Sequence, residues 1–228
     1  SIVYEFLVEG GITRWLMIFD SSVRVSEIAP VRSARTYIVD IAQEYGGIFV
    51  HAGGSPDALN DARTAEHLYN TDGISQDSRY FARDGERPAP HNLRTTSDLL
   101  SFAERDKKIE STADFESWTY KDDALASKRP ETAKILTVDF STFNYKVEWK
   151  YDPATNRYTR YTAGEFHKDR NNDKPVEATN IIVQFVKTES PDGRLLNMDL
   201  LGSGGALVFR DGEMINATWK KEEDTKRT

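Results

Sequence analysis

Residues 133–219 alternate short apolar runs with turn sequences, and this alternation constrains the fold more than any other feature of the chain. The runs are rich in β-branched and aromatic residues, and turn signals such as Asp152-Pro153 and Asp211-Gly212 separate them. Such spacing is typical of antiparallel sheets. The predicted strands cover residues 133–140, 145–151, 157–162, 179–187, 195–201, 206–209 and 214–219.

In the first half of the chain, some segments have the apolar pattern of strands and others have apolar residues at helical spacing. The clearest hairpin signal is Gly10-Gly11, which lies between two apolar runs. The clearest helix signal is Ser55 followed by Pro56, a capping residue and then the residue favoured at the first helical position. The predicted elements are a hairpin with a two-residue turn over residues 2–9 and 12–19, a helix over 31–45, a strand over 48–52, a helix from Pro56 to about residue 67, and a helix over 98–105 capped by Thr96 or Ser97.

The use of lysine divides the chain. Residues 1–106 contain ten arginines and no lysine, whereas residues 107–228 contain thirteen lysines and seven arginines. This change coincides with the change in periodicity. We therefore predict an α+β fold of two lobes, a mixed α/β lobe at residues 1–128 and a mostly antiparallel β lobe at residues 129–228. Residues 220–228 are predicted to form a charged tail.

Composition excludes several classes of protein. The chain has 228 residues, enough for a sizeable core, and a net charge of −7, which argues against a nucleic-acid partner. It has no cysteine, so disulfides and thiol catalysis are excluded. No run approaches the roughly 18 apolar residues of a membrane helix. The partners left open are an anionic small molecule, a cell-wall fragment or another protein.

The sequence HAGGSP at residues 51–56 is the strongest local candidate for a ligand site. A strand, a glycine turn and a helix N-terminus place backbone N–H groups at a ligand, and Gly53 and Gly54 permit close approach. His51 lies beside this turn, where a general base or an anion donor would be placed. Ser55 is favoured as a helix cap over a nucleophile, because a proline follows it. A purely structural turn explains the same residues equally well.

Arg32 and Arg35 lie three residues apart at the predicted start of the helix over residues 31–45. They would then share one face, and cations at a helix N-terminus require a compensating anion. A bound carboxylate or phosphate held by the arginine forks would provide it. The carboxylates of the protein that would serve instead are Glu5, Glu9 and Glu27.

Two further groups complete the candidate site. On the polar face of the hairpin, Arg14 is expected within reach of Glu9, as a structural ion pair or as part of the site. In the sequence APHN at residues 89–92, His91 and Asn92 follow a proline in a predicted loop that is free to point into a cleft. The predicted ligand-binding residues are Glu9, Arg14, Arg32, Arg35, His51, Gly53, Gly54, Ser55, His91 and Asn92.

Residues 167–173 resemble the start of a calcium loop, because Asp169, Asn171 and Asp173 occupy alternate positions. The pattern then fails, since Lys174 stands where glycine is required. A polar β-turn is the favoured interpretation. We predict no metal site and no cofactor.

Several motifs of the first half occur together in one order: EGGITR (9–14), APVRSAR (29–35), VHAGGSPDAL (50–59) and APHN (89–92). The second half adds WKYD (149–152), FHKD (166–169), ATNIIVQF (178–185) and the stretch 192–219. Over nearly its whole length the chain resembles the YerB-like lipoproteins, a bacterial family of unknown function. The resemblance implies a mixed N-terminal region, a β-rich C-terminal region and an extracytoplasmic location through a lipid anchor. We expect that anchor to lie outside the given chain.

Polar side chains with several donors are thus predicted around a strand end and a helix N-terminus, and they favour a binding protein. The leading hypothesis is an extracytoplasmic cell-envelope lipoprotein that binds an anionic ligand or a partner in a cleft lined by arginine and histidine. The first alternative is a hydrolase or transferase acting on cell-wall or glycan material, with His51 or His91 as base and Glu9 as acid or orienting group. The second alternative is a protein–protein scaffold. The sequence does not decide between an enzyme and a binder.

Overall fold

The computed structural model of the chain describes residues 1–109 and 117–223. Helices and mostly antiparallel sheets account for its elements, which confirms the α+β class with a β-rich second half. The first of two compact units consists mainly of residues 1–5 and 15–109, and the second mainly of residues 6–14 and 118–222. No helix within the described ranges is long and apolar enough to cross a membrane. The last five residues of the predicted charged tail lie outside the described residues.

The chain begins with a β-hairpin made of β1 (Ile2–Leu7) and β2 (Thr13–Ile18). Residues 9–11 form a 3₁₀ turn between the strands, and the N–H of Val8 donates to the carbonyl oxygen of Ile12 at 2.7 Å. The predicted two-residue glycine turn is therefore wrong, since the loop contains three residues. Both glycines of the loop have positive φ angles, 73° and 71°, which only glycine adopts readily.

The first helix, α1 (Thr36–Gln43), begins later than the sequence periodicity predicts. The segment before it is extended, because its backbone pairs on both sides. The N–H of Val31 donates to the carbonyl oxygen of Leu93 at 2.8 Å, and the N–H of Ala34 donates to that of Gly53 at 2.9 Å. Such hydrogen bonds need extended backbone, so tertiary pairing overrides the helical pattern of these residues.

The remaining elements of the first unit are two helices, a parallel strand pair and a short antiparallel pair. In chain order they are β3 (Gly47–His51), α2 (Pro56–Thr64), β4 (Leu68–Asp72), β5 (Ala82–Arg83), β6 (Leu93–Arg94) and α3 (Ser97–Lys107). Helix α2 connects the parallel strands β3 and β4, whereas β5 and β6 are antiparallel. The predicted caps are confirmed: Ser55 accepts from an N–H of α2, and Thr96 accepts from an N–H of α3.

The core of the first unit surrounds α1, which is buried on more than one side. Tyr37, Val39 and Ile41 of this helix are each at most 2% exposed, and Phe49 of β3 is also buried. Each such side chain contributes about 1.5–3 kcal/mol through its removal from water.

The second unit contains a series of short strands. In chain order they are β7 (Ile135–Asp139), β8 (Lys146–Asp152), β9 (Arg157–Thr162), β10 (Glu165–Phe166), β11 (Glu177–Ala178), β12 (Asn180–Gln184), β13 (Lys187–Glu189), β14 (Asn197–Asp199), β15 (Gly202–Arg210) and β16 (Glu213–Lys221). Strands β7 to β11 form a five-stranded sheet in the order β10-β9-β8-β7, with β11 also paired to β9. Strand β15 lies between β12 and β16 in a three-stranded sheet, and β13 pairs with β14. Every one of these pairings is antiparallel, as predicted.

The hairpin of β15 and β16 turns at Asp211 and Gly212, whose φ angles are 52° and 77°. The carboxylate of Asp211 accepts from Nζ of Lys121 at 2.7 Å, from Nδ2 of Asn156 at 2.9 Å and from the N–H of Ala124 at 3.2 Å. Burial raises the pKa of Asp211, but these hydrogen bonds outweigh it and lower the pKa to about 2. The turn is thus tied to two other segments of its unit through one ionised group.

We expect Gly212→Ala to lower the free energy of unfolding by about 3 kcal/mol. A Cβ at this position would overlap the ring of Tyr151 and lie 2.9 Å from that of Pro130, and the positive φ angle adds strain. Gly193→Ala is the matched control, because Gly193 has a φ of 69° but nothing lies within 4 Å of its Cβ position. Urea unfolding should show a loss of about 1 kcal/mol in the control. Equal losses in the two variants would contradict the packing argument.

We also expect the contribution of Asp211 to depend on pH. Its pKa is about 2 in the folded chain, against about 3.9 in an unfolded one. The ionised carboxylate therefore contributes up to about 2 kcal/mol, in full above about pH 4 and lost as the pH falls through about 2. Asp211→Asn should lose that amount at pH 7, and its difference from wild type should shrink between about pH 4 and pH 2.

Urea unfolding across this pH range measures the effect. Glu213→Gln is the control, because Glu213 is an exposed neighbour in the same hairpin whose ion pair with Lys134 is also exposed. This control should change the free energy of unfolding by less than about 1 kcal/mol. A difference between Asp211→Asn and wild type that stays constant with pH would refute the ionisation argument.

Candidate functional site

His51 ends β3 and is 2% exposed. Its Nδ1 lies 2.8 Å from the carbonyl oxygen of Gly53, to which it must donate, and its Nε2 lies 2.6 Å from Oδ1 of Asn70. The ring of Phe49 stacks on the imidazole with the centroids 5.1 Å apart. Both ring nitrogens are therefore used within the protein, and His51 fixes the backbone of the turn between β3 and α2.

The turn between β3 and α2 already holds a carboxylate of the protein. Oδ1 of Asp72 accepts from the N–H of Gly53 at 2.7 Å and from the N–H of Ile74 at 3.1 Å. The side chain of Ile74 also covers Gly53, since a Cβ at Gly53 would lie 2.6 Å from its Cδ1. The Gly53 donor that the sequence offers to a bound anion is thus occupied by Asp72.

A buried polar network lies next to Asp72. Oδ2 of Asp77 accepts from the N–H of Asp72 at 3.2 Å, and Oδ1 of Asp77 lies 2.9 Å from Nζ of Lys107. The same Nζ donates to the carbonyl oxygen of Asn70 at 2.7 Å and to Oγ1 of Thr71 at 3.2 Å. Buried charges require partners, and here each aspartate has one. The network holds the carboxyl end of β4 in place.

Gly54 and Ser55 also have structural roles in the turn. Gly54 pairs in parallel with Ala34, whose carbonyl oxygen would lie 3.2 Å from a Cβ at Gly54. Oγ of Ser55 accepts from the N–H of Ala58 at 3.4 Å. A side chain at residue 54 would therefore force the two extended segments apart.

Arg32 connects the VRSAR segment, in which it lies, to the APHN loop. Its Nη1 donates to Nδ1 of His91 at 2.8 Å and to the carbonyl oxygen of Pro90 at 3.4 Å, in exposed contacts. Among residues 1–109 and 117–223, no carboxylate lies within ion-pair distance of this guanidinium. The APHN loop and the VRSAR segment are therefore in direct contact.

A second arginine holds the neighbouring residue of the same loop. Arg83 ends β5, is exposed, and donates from Nη1 to Oδ1 of Asn92 at 2.7 Å. Two guanidinium groups thus contact the consecutive residues His91 and Asn92. Arg32, Arg83, His91 and Asn92 are together called the APHN surface.

Arg35 differs in position from the prediction. It is the N-cap residue of α1, with extended backbone, and its Nη1 donates to the carbonyl oxygen of Ala34 at 2.7 Å. The prediction that Arg32 and Arg35 share the first helical turn is therefore wrong, because the helix begins at Thr36. In an extended segment, residues three apart point to opposite sides.

Glu9 and Arg14 belong to the second unit. Oε1 of Glu9 accepts from the N–H of Leu196 at 3.1 Å, which ties the loop of the first hairpin to that segment. Three contacts involve the predicted residues directly. Arg32 contacts His91, His51 contacts Gly53, and Glu9 contacts Leu196.

The segment that resembles a calcium loop is a polar turn closed by its own hydrogen bonds. The carboxylate of Asp169 accepts from the N–H of Asn171 and from Nδ2 of Asn172, each at 2.9 Å. The N–H of Asp173 donates to the carbonyl oxygen of Asp169 at 2.8 Å. Within the part of the chain that the structure describes, no group of three or more metal-ligating side chains is placed to hold an ion.

A cavity of about 430 Å³ lies at the carboxyl ends of α1 and α2. Its lining residues are Asp40, Gln43, Asp61, Thr64, Ala65, Glu66 and His67. None of the predicted ligand-binding residues lines it. This cavity is therefore not the expected cleft of arginine and histidine.

Sequence reasoning misses Asp72 and Arg83, as well as Asn70, Asp77 and Lys107 of the buried network. The sequence does contain a signal for Asp72. This residue ends a short run of strand-forming residues and precedes Gly73, much as His51 ends such a run before a glycine turn. Arg83 carries no such signal, since its partner lies across a hairpin whose strands contain two residues each.

A mixed α/β unit and an antiparallel β unit on one chain define a two-domain α+β protein. Residues 1–111 match the family described as "Protein of unknown function (DUF3048) N-terminal domain", and residues 136–228 match its C-terminal domain. The chain is 33% identical over 225 residues to "Putative lipoprotein YerB" of Bacillus subtilis (strain 168), covering 97% of this chain and 66% of that protein. A crystal structure of YerB protein from Bacillus subtilis has a TM-score of 0.84 at 32% identity, covering 98% of this chain and 74% of that one.

The chain belongs to the DUF3048 family, and its resemblance to the YerB-like lipoproteins is confirmed. It spans just under two thirds of the length of the Bacillus subtilis relative. The two family matches leave residues 112–135 between them, and the predicted boundary at residue 128 lies in that stretch. The boundary itself stays a prediction.

We expect Asp72→Ala to lower the free energy of unfolding by about 2–3 kcal/mol, because it leaves the buried N–H of Gly53 without an acceptor. Asp57→Ala is the control, since Asp57 is exposed in the first turn of α2. Its loss should stay below about 1 kcal/mol. Urea unfolding of both variants measures the difference, and a loss in Asp72→Ala no larger than that of the control would overturn the assignment.

Proposed function

We propose that this protein is an extracytoplasmic cell-envelope lipoprotein that binds an anionic ligand through the APHN surface. The observation that carries the proposal is the hydrogen bond from Arg32 to His91. It joins two motifs at an exposed position, and Arg32 has no carboxylate at ion-pair distance within the described residues. A guanidinium in this state keeps its charge available for a ligand.

The chemistry of arginine supports an anion over other ligands. A guanidinium has five N–H donors and no acceptor, and in Arg32 and Arg83 the contacts within the chain use Nη1. A carboxylate or phosphate would accept from the remaining donors in charge-assisted hydrogen bonds. Each exposed pair contributes at most about 1 kcal/mol. Useful affinity therefore requires both arginines and the loop together.

The proposed location follows from the relative. The Bacillus subtilis protein is named a lipoprotein, and the similarity to it covers 97% of this chain. We extend the name to this chain and propose a lipid anchor that holds it outside the cytoplasmic membrane. An anionic small molecule or an anionic cell-wall fragment would then meet the APHN surface in that compartment.

The two alternatives lack an observation of their own. A hydrolase or transferase would depend on His91 as its base, since both ring nitrogens of His51 are hydrogen-bonded within the chain. A scaffold would use exposed strand edges or apolar side chains instead of the APHN surface. The anion-binding function is therefore the one that we propose.

We expect phosphate or succinate to raise the melting temperature of the protein at constant ionic strength, and Arg32→Gln to abolish that rise. A ligand at about 100 times its Kd adds roughly 2.7 kcal/mol to the stability of the folded state. Thermal unfolding in titrations balanced with sodium chloride measures the effect. Arg63→Gln is the matched control, because Arg63 is an exposed arginine of α2 whose Nε donates to the carbonyl oxygen of Leu59 in its own helix.

The result distinguishes binding at the APHN surface from a general effect of the protein's net charge. Loss of the rise in Arg32→Gln and its retention in Arg63→Gln would support the proposal. Equal loss in both variants would mean that the anions respond to net charge alone. No rise in the wild-type protein would reject anion binding by the APHN surface.

A further inference from the structure

We infer that the APHN surface turns the acceptor atoms of His91 and Asn92 toward its two arginines and their donor groups outward, and that it selects an ionised carboxylate or phosphate group over a neutral carboxamide. This inference rests on the proposed function and names the class of ligand that the surface accepts. It follows from the direction of two hydrogen bonds, one at His91 and one at Asn92.

Arg32 determines the direction of the hydrogen bond at His91. Because a guanidinium only donates, Nδ1 of His91 at 2.8 Å must accept and cannot carry a proton. The neutral imidazole then carries its proton on Nε2. The ring atom left for a ligand is therefore a donor.

The second direction is fixed by Arg83 in the same way. The atom of Asn92 that faces Nη1 of Arg83 at 2.7 Å must be an acceptor, which assigns it as the amide oxygen. The NH₂ group of Asn92 then points away from the arginine. The group of this side chain that faces away from Arg83 is therefore a donor.

The carboxylate of Asp84 is held by contacts within the loop. Oδ1 of Asp84 accepts from the N–H of Glu86 at 2.9 Å, and Oδ2 lies 3.8 Å from Nε of Arg87. The N–H of Asp84 donates to the carbonyl oxygen of Asn92 at 2.7 Å. Asp84 thus belongs to the internal structure of the loop, and Arg87 offsets its charge.

A surface that presents donors distinguishes ligands by the number and strength of the hydrogen bonds that they can accept. A carboxylate or phosphate oxygen accepts several hydrogen bonds at once, and charge-assisted bonds are about twice as strong as neutral ones. A carboxamide offers one accepting oxygen and places an NH₂ group against donors. We therefore expect succinate to bind at least about tenfold more tightly than succinamide.

The first experiment determines, without any ligand, which ring nitrogen of His91 carries the proton. Long-range ¹H–¹⁵N spectra of the labelled wild-type protein report which ring nitrogen of each histidine is protonated, and the His91→Gln variant assigns the signal of His91. We expect the Nε2–H tautomer in wild type and a mixture of tautomers in Arg32→Met, which lacks a donor. The Nδ1–H tautomer or a protonated His91 in the wild-type protein at neutral pH would overturn the inference.

The second experiment compares matched ligands at constant ionic strength. Titrations of inorganic phosphate, succinate and succinamide are followed on the side-chain amide signal of Asn92 and the ring signals of His91. The phosphate and succinate arms distinguish the two sources of an oxyanion. Succinamide that binds as tightly as the better of the two anions would overturn the selectivity while leaving ligand binding at the surface intact.

A pair of variants tests the role of Asn92. Asn92→Asp replaces its donor with a charged acceptor and should reduce anion affinity at least about tenfold. Asn60→Asp adds the same charge at an exposed position of α2 and should leave affinity unchanged. Equal affinities in the two variants would overturn the inference. Failure of every ligand to move the Asn92 and His91 signals would instead reject the proposed function.

Discussion

The carboxylate of Asp72 determines the structure around it in the first unit. Its oxygen accepts from the N–H groups of Gly53 and Ile74, and so joins the turn after one parallel strand to the turn after the other. Those donors are the kind that a helix N-terminus and a glycine turn usually offer to a bound anion. Because an internal carboxylate occupies them, the HAGGSP turn does not offer these donors to a ligand.

Several features that depend on adjacent residues are predictable from this sequence, although the length of the Gly10-Gly11 turn is not. Ser55 before Pro56 caps α2, Thr96 caps α3, and Asp211-Gly212 turns a hairpin, all as predicted. In each case the deciding interaction spans no more than three residues, so local propensity and capping chemistry are sufficient. The spacing of short apolar runs and turn sequences over residues 133–219 likewise predicts antiparallel strands, because each run and each turn is a local feature.

Features that depend on distant pairing are not predictable in this way. The residues before α1 have helical periodicity, yet they are extended because Val31 and Ala34 donate to backbone far away in the sequence. The candidate site shows the same limit. The sequence identifies the turn at Gly53 as a place for an anion, but the carboxylate that fills it lies 19 residues away. The APHN loop is identified as polar, whereas the contact of Arg83 with Asn92 depends on a hairpin too short to leave a pattern.

The arginines of the first unit differ in what they contact, and that difference decides what they offer to solvent. Arg79 forms an ion pair with Asp106, which largely cancels its charge locally. Arg32 and Arg83 instead donate to neutral acceptor atoms, so each keeps its charge and gives up few of its donors. The same hydrogen bonds turn the acceptor atoms of His91 and Asn92 inward. Each arginine thus orients the side chain that it contacts so that a donor group faces solvent. This orientation, more than the number of positive charges, is what would make the surface bind an oxyanion more tightly than the corresponding amide.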